Sequence, residues 1–302
     1  MMSLQKNNIL LISLLITSFV FAQQGKLSIE INPKLDAQKI VPHVQKIYEK
    51  SCSNIEKKLH LSPPKHVRIV ICASNKEMNI LSGHKLPSWA LGVAFSSRSL
   101  ILINYKNVDI FSNSLPSVLE HEVCHLYLGQ WEIKNNLQLP QWFNEGICEW
   151  ISGRLHMQHN TQIFESAVWD QLIPLHELND GFPLNAQKAA LAYVQSRDIT
   201  VYIAKNYQTT SITQIIHHYG KVKDFSVAVE KVTGIPLQTL EKNWIDSITP
   251  KYKWFWRFTQ LFSLFTIMAI LTIIAYTKQR KRKQALLNSW EKEDEFYENI
   301  GY

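Results

Sequence analysis

Charge of one sign is nowhere concentrated in the main body of this sequence. Residues 23–253 carry 24 Lys and Arg against 20 Asp and Glu, and the rest of the formal +7 comes from Lys6, Arg257 and the C-terminal tail. No basic cluster in the main body tracks a phosphate backbone, so nucleic acid is not the expected partner. Cysteine is scarce as well: Cys52, Cys72, Cys124 and Cys148 are the only four, and none shows CxxC spacing. A cysteine zinc site is therefore not supported. The chain has no GxSxG element, so a serine hydrolase of that type is not indicated. It also has no internal repeat and no low-complexity linker. Hydrophobic residues make up 46% and charged ones 19%, enough apolar material to exclude a disordered chain. A length of 302 residues allows one large domain or two ordinary ones.

Two apolar segments set the expected topology. The first, Ile9–Phe21, follows a short polar start holding Lys6, and Phe21-Ala22-Gln23 offers a small residue before a polar stretch. Residues 1–22 have the pattern of a signal peptide, the alternative being an uncleaved anchor. The second, Phe258–Thr277, is 20 residues without a charge, long enough to cross a hydrocarbon core as a helix. Trp254, Phe255 and Trp256 precede it like an interfacial belt, and Lys278-Gln-Arg-Lys-Arg-Lys283 follows it. Basic residues directly after a span mark the cytoplasmic side. The expected layout is a signal peptide (1–22), an extracytoplasmic domain (23–250), a transmembrane helix (254–277) and a cytoplasmic tail (278–302). That is a single-pass protein of the cell membrane. In such a compartment the four cysteines can pair in three ways. Cys124 and Cys148 can pair with each other or remain small buried thiols.

Within the body, Val44, Ile47, Tyr48, Ile55 and Leu59 fit one face of a helix with Pro42 in its first turn. The run 66–72 is β-branched and reads as a strand, with a short helix over 75–82. Leu91–Phe95 and Ser99–Asn104 read as two further strands. Helical periodicity runs from Ser114 to Gly129, where glycine predicts a C-cap. Pro140 predicts the next helix start and Gly153 its end, after a loop over 130–139. Beyond Leu184 the pattern is helical, at roughly 186–206, 211–219, 224–232 and 237–247.

The segment that carries chemistry is His121-Glu-Val-Cys-His125, inside the 114–129 helix. Histidines four apart stand on one helix face, so both imidazoles reach one cation. Glu122 projects from a neighbouring position towards a water on that metal. A catalytic zinc needs a third protein ligand and an open fourth position. Glu145 follows His125 after nineteen residues, early in the next predicted helix. If that helix folds back antiparallel, its carboxylate faces the two imidazoles. Glu149, one turn on, is placed to accept a hydrogen bond from the free ring nitrogen of a ligating His.

HEVCH, followed by Glu145 in Leu139-Pro-Gln-Trp-Phe-Asn-Glu-Gly146 and by Glu149, resembles the gluzincin metallopeptidases, the thermolysin-like clan also called peptidase MA. Trp89-Ala-Leu-Gly-Val-Ala94, Ala192-Tyr-Val-Gln-Ser196 and the helices ending near Trp244 are similar to small exported bacterial proteins of the peptidase MA-like superfamily. The resemblance covers about 85–248. It implies an α+β fold: a small mixed sheet with an edge strand, the HExxH helix, a glutamate-ligand helix and a helical C-terminal half. It further implies one Zn2+ on His121, His125 and Glu145, with Glu122 as general base and then proton donor. A peptide or protein substrate would pair with the edge strand at Gly92, Val93 and Ala94. Tyr193 would donate to the oxyanion, the alternative being a packing role in its helix. No Gly-x-Met-Glu-Asn segment is present, so aminopeptidase activity is not implied. Cys124 and Cys148 replace the small residues of the pattern, and a disulfide between them would tie the ligand helices together.

Other candidates are weaker. His156 and His159 read as a solvated loop, His176-Glu177 lacks a second histidine, and His217-His218 face different sides of a helix. Trp142, Trp150 and Trp169 read as packing for the ligand helices. The function indicated is a membrane-anchored zinc metallopeptidase. Its rival is a zinc-binding scaffold or peptide-binding domain without hydrolysis.

Overall fold

The structure, a computed structural model, describes residues 27–87, 90–105, 108, 114–153, 163, 165–167 and 169–299. The signal segment 1–22, Trp89, His156 and His159 lie outside the described residues, as do the side chains of Trp254, Phe255 and Trp256. The β-branched runs build the sheet. β1 (Leu27–Ile31), β2 (Val67–Cys72), β3 (Gly92–Phe95) and β4 (Leu100–Asn104) lie in the order β1-β2-β4-β3. β1, β2 and β4 are parallel, with Ile69 opposite Ile29 and Ile101. The two inner strands are buried on both faces, as parallel strands covered by helices should be. β3 closes the sheet antiparallel to β4, with Val93 opposite Leu102 and Phe95 opposite Leu100. The expected small mixed sheet and its edge strand are both present. β1 was not anticipated.

The helices cover the two faces. α1 (Ala37–Leu59) starts at the N-cap Asp36, whose side chain accepts from the Lys39 amide, so Pro42 sits in its second turn rather than its first. α2 (Asn75–Ser82) places Met78 against Val70, Cys72, Leu100 and Leu102. By strand alternation Ile69, Ile71, Ile101 and Ile103 point to the opposite face, where α3 (Ser114–Asn135) packs on β3 and β4. α4 (Gln141–Ser152) follows, then α5 (Ala186–Asn206), α6 (Ser211–Val222) and α7 (Phe225–Thr233). α8 (Leu237–Asn299) is one continuous helix where two separate stretches were expected. The amphipathic pattern of its start and the uniform apolarity further on differ, but both are compatible with one helical backbone. Leu240 and Trp244 are buried, and Trp244 Nε1 donates to Asp198 Oδ2 at 2.8 Å.

The chain divides into two units, Met1–Ile245 and Asp246–Tyr302. The second contains a stretch, Leu261–Lys292, long and apolar enough to cross a membrane. Its large apolar side chains, among them Phe265, Ile270 and Ile274, are exposed within the unit.

Glycine explains the main departure from expectation. Gly129 does not end a helix: α3 runs two turns further to Asn135, and the turn to α4 takes only residues 136–140. A Cβ on Gly129 would overlap the Ser96 side chain. Ser96 lies in the turn between β3 and β4, and its hydroxyl donates to the His125 carbonyl at 3.1 Å. The missing side chain lets the β3–β4 turn dock on the helix that carries the histidines. Gly146 does the same between α4 and α5, where a Cβ would overlap the Ser196 carbonyl and the Thr200 hydroxyl. Backbone cannot swing aside as a side chain can. Gly146→Ala should therefore destabilise the full chain in detergent by about 1–3 kcal/mol, as overpacking does. Gly220→Ala, which meets only the side chains of Trp131 and Asn135 at 3.3 Å or more, should shift stability by less than about 1 kcal/mol because alanine favours the helix. Denaturant unfolding of the two variants checks the contrast.

Candidate metal centre

α3 and α4 present one cluster of ligand-bearing side chains to each other. The contacts pair Glu132 with Asn144, His125 with Glu145 and Cys148, and His121 with Glu149. Numbers fall on α3 as they rise on α4, so the two helices run in opposite directions, as expected. At the centre, His121 Nε2, His125 Nε2 and Glu145 Oε2 form a near-equilateral triangle. The sides are 3.1 Å between the nitrogens, 3.3 Å from His125 to Glu145 and 3.4 Å from His121 to Glu145. Ligand bonds of about 2.0–2.1 Å at tetrahedral angles put ligand atoms about 3.3–3.4 Å apart. The triangle therefore has the size a tetrahedral zinc requires. Among the described residues, these three form the group able to hold a metal ion.

The outer contacts decide where the protons sit. His125 Nδ1 lies 2.8 Å from Asn144 Oδ1, an acceptor, so this nitrogen carries the proton and Nε2 turns a lone pair inward. Asn144 in turn donates to Glu132 Oε1 at 3.3 Å, and Glu132 Oε1 also accepts from the Leu139 amide at 2.8 Å. His121 Nδ1 faces Glu149 Oε1 at 3.5 Å, an ion-pair distance at which the ring nitrogen makes no hydrogen bond. Gln141 Nε2 donates to Glu145 Oε1 at 2.8 Å, while buried Glu145 Oε2 has no hydrogen-bond donor. A buried carboxylate oxygen left in this state is costly unless positive charge sits beside it.

Electrostatics agree. Burial alone would lower the His125 pKa, but the facing Glu145 outweighs it and the imidazole is pushed up to about 10. Burial alone would raise Glu145, yet His125 and His121 hold its carboxyl well below the usual carboxylate range. A proton thus supplies some of the positive charge the triangle attracts. A divalent cation would supply it to all three atoms and displace that proton.

Glu122 is buried on the same helix and lines a cavity of about 280 Å³ with His121, His125, Glu145 and Tyr193. β3 passes directly over it. A Cβ on Gly92 would lie 2.8 Å from Glu122 Cγ and 2.9 Å from Oε1, so a side chain there would force this carboxylate to shift from beneath the edge strand. Val93 and Ala94 line the same cavity. Tyr193, on α5, borders it and also packs edge-on against Phe182, with ring centroids 4.8 Å apart.

Sequence reasoning missed Gln141, Asn144 and Glu132. The first two sit at i−4 and i−1 from Glu145, positions a ligand helix can turn towards the metal, but nothing in the sequence singled them out. All four cysteines are free, and Cys124 and Cys148 are buried. Cys148 Sγ lies 3.4 Å from His125 Nδ1, and burial pushes its thiol well up. His176-Glu177 lies in an exposed turn, and His217 and His218 lie side by side on α6. Trp142 is buried against Phe143 and Phe225, and Lys58 lies over the Trp150 ring, whereas Trp169 is 58% exposed. Its flanking Asp170 takes a positive φ and turns the chain there.

Two antiparallel helices giving His-Glu-x-x-His and a downstream Glu, beside an antiparallel edge strand, define a gluzincin-type site. The chain belongs to the peptidase MA superfamily, whose family model matches residues 52–250. No curated protein matches the sequence significantly.

Removing an outer contact should loosen metal without removing a ligand. Asn144→Ala in the full chain should weaken zinc binding about 10- to 100-fold, whereas His125→Ala should abolish stoichiometric zinc. Competition with a chromophoric chelator measures both.

Proposed function

We propose that this chain is a membrane-anchored zinc metallopeptidase whose catalytic domain faces away from the cytoplasm. The observation that carries the reading is the zinc-sized triangle of His121, His125 and Glu145 with Glu122 buried beside it beneath the open edge of β3. His121, His125 and Glu145 would hold the ion, which when bound supplies Lewis acidity to a water and to a peptide carbonyl. Glu149 and Asn144 keep the two imidazoles in the tautomer that offers Nε2.

Glu122 is the general base. Its carboxylate takes a proton from the water that attacks the scissile carbonyl carbon. It then returns that proton to the departing amide nitrogen as the C–N bond breaks, so peptide and water become a carboxylate and an amine. Glu122 is not a ligand in this reading, since a proton carrier must keep an oxygen free. Tyr193 donates its phenolic proton in a hydrogen bond to the carbonyl oxygen as charge builds there. The substrate backbone pairs with the outer edge of β3 along Gly92, Val93 and Ala94, which fixes the scissile bond over Glu122.

The topology follows from charge. The apolar stretch Phe258–Thr277 of this helix crosses the membrane, and Lys278-Gln-Arg-Lys-Arg-Lys283 directly after it holds that end in the cytoplasm. Residues 1–22 direct export.

Bound zinc and cleavage of a diverse peptide library, measured on the full chain in detergent, test the mechanism. Glu122→Gln should keep about one zinc and lose at least about 100-fold in cleavage, the scale of a lost general base. Gly92→Ala should also keep zinc and lose turnover, because the added methyl displaces the carboxylate. Undiminished cleavage by Glu122→Gln, or zinc lost with it, contradicts the assignment.

A further inference from the structure

The metal cavity does not end at the metal. It shares Gly92, Val93, His121, Glu122 and Tyr193 with a larger cleft of about 580 Å³. That volume lies within the roughly 300–1,000 Å³ of sites that enclose a sizeable organic ligand. Among the described residues its far walls are apolar: Leu86, Pro87 and Leu91 ahead of β3 on one side, Ala186, Ala189 and Ala190 of α5 on the other. The three alanines recur at helical spacing, i, i+3 and i+4, so one face of α5 is stripped to methyl groups where it borders the cleft. Ala189 is buried and Ala190 half-buried, so the cleft floor is part of the packed structure.

We propose that this alanine-floored cleft is the specificity pocket of the site. It takes a large apolar side chain, aromatic or long aliphatic, of a residue next to the scissile bond, a proposal that rests on the peptidase reading above. The carboxylates bordering the cleft, Glu122 and Glu149, sit with His121 at its inner end. Glu149 faces His121 Nδ1 at 3.5 Å, so it is engaged with the metal ligand rather than turned towards a substrate cation. An acidic substrate side chain would meet these two carboxylates. A basic one would leave water for a wall that, among the described residues, is Leu, Pro, Val and Ala, with carboxylates only at the inner end beside His121. A phenyl or isobutyl group loses only apolar hydration and fills space that α5 leaves open. Small substrate side chains would leave the cleft largely unfilled.

Binding is measured separately from turnover, on the full chain in detergent carrying Glu122→Gln and loaded with zinc. The probes are capped penta-alanine peptides with one Phe at each position in turn, the matching Lys set, and the all-Ala peptide. At one position Phe should tighten binding at least about tenfold over Ala, the usual discrimination of an apolar pocket. Lys should give no gain at that position. Adding Ala190→Phe, which plugs the cleft, should erase the Phe advantage. If Ala190→Phe lowers bound zinc or the unfolding midpoint, Ala186→Phe at the exposed end of the floor serves instead. Equal binding of Phe and Ala peptides, a preference for Lys, or a Phe advantage that survives both plugs overturns the proposal. Cleavage of the same peptides by the wild-type chain decides the peptidase reading independently. A Phe preference in binding without cleavage leaves the pocket standing and refutes the peptidase.

Discussion

Lone pairs converge in the space between α3 and α4, and most of the site follows from the positive charge they require. Two imidazole nitrogens and a carboxylate oxygen lie within 3.4 Å of one another, all from buried or half-buried residues. Without a cation that arrangement is repulsive at ε values typical of a protein interior, and protons partly fill the need by raising His125 and leaving Glu145 ionised. Everything around the triangle limits how it can relax. Asn144 fixes the His125 imidazole, Glu149 faces that of His121 at ion-pair distance, and Gln141 holds the outer oxygen of Glu145. Glu132 then anchors Asn144 and the turn between the helices through Leu139. The turn and His125 are thus held by one hydrogen-bonded network.

Close approach is the second constraint, and three glycines provide it. Gly146 lets α5 lie against the ligand helix, which brings Tyr193 to the cavity. Gly129 lets the β3–β4 turn sit on α3 and bond to the His125 carbonyl, which sets the height of the edge strand above the histidines. Gly92 then leaves room for Glu122 under that strand. A methyl at any of the three would move a different wall of the cleft. The geometry of the sheet, Glu122 and the His121–His125–Glu145 cluster is therefore coupled through packing as well as through hydrogen bonds.

Much of this was legible in the sequence. Short β-branched runs and helical periodicity placed three of the four strands and nearly every helix, because those patterns record burial directly. The meeting of His121, His125 and Glu145 was legible because HExxH on a helix and a glutamate on the next leave few ways to meet. The outer contacts were not. Asn144 and Gln141 are ordinary helix residues until the partner helix is in place, and Glu132 acquires its role only because α3 continues past Gly129. A glycine in a helical pattern reads as a stop unless the neighbour that needs the space is known. Likewise α8 could not be anticipated as one helix, since its amphipathic and apolar parts carry different patterns. β1 was missed because five residues of strand pattern beside a long apolar leader give little signal.

The central claim is that zinc sits on two imidazole nitrogens and one carboxylate oxygen, with buried thiols close by but not bound. Metal-edge X-ray absorption on the zinc-loaded full chain in detergent tests this directly. The account predicts a shell of nitrogen and oxygen only, at about 2.0–2.2 Å, with outer scattering from two imidazoles. A sulfur neighbour at about 2.3 Å would mean that Cys148 or Cys124 displaces a histidine or Glu145, and the assignment of the site would fail.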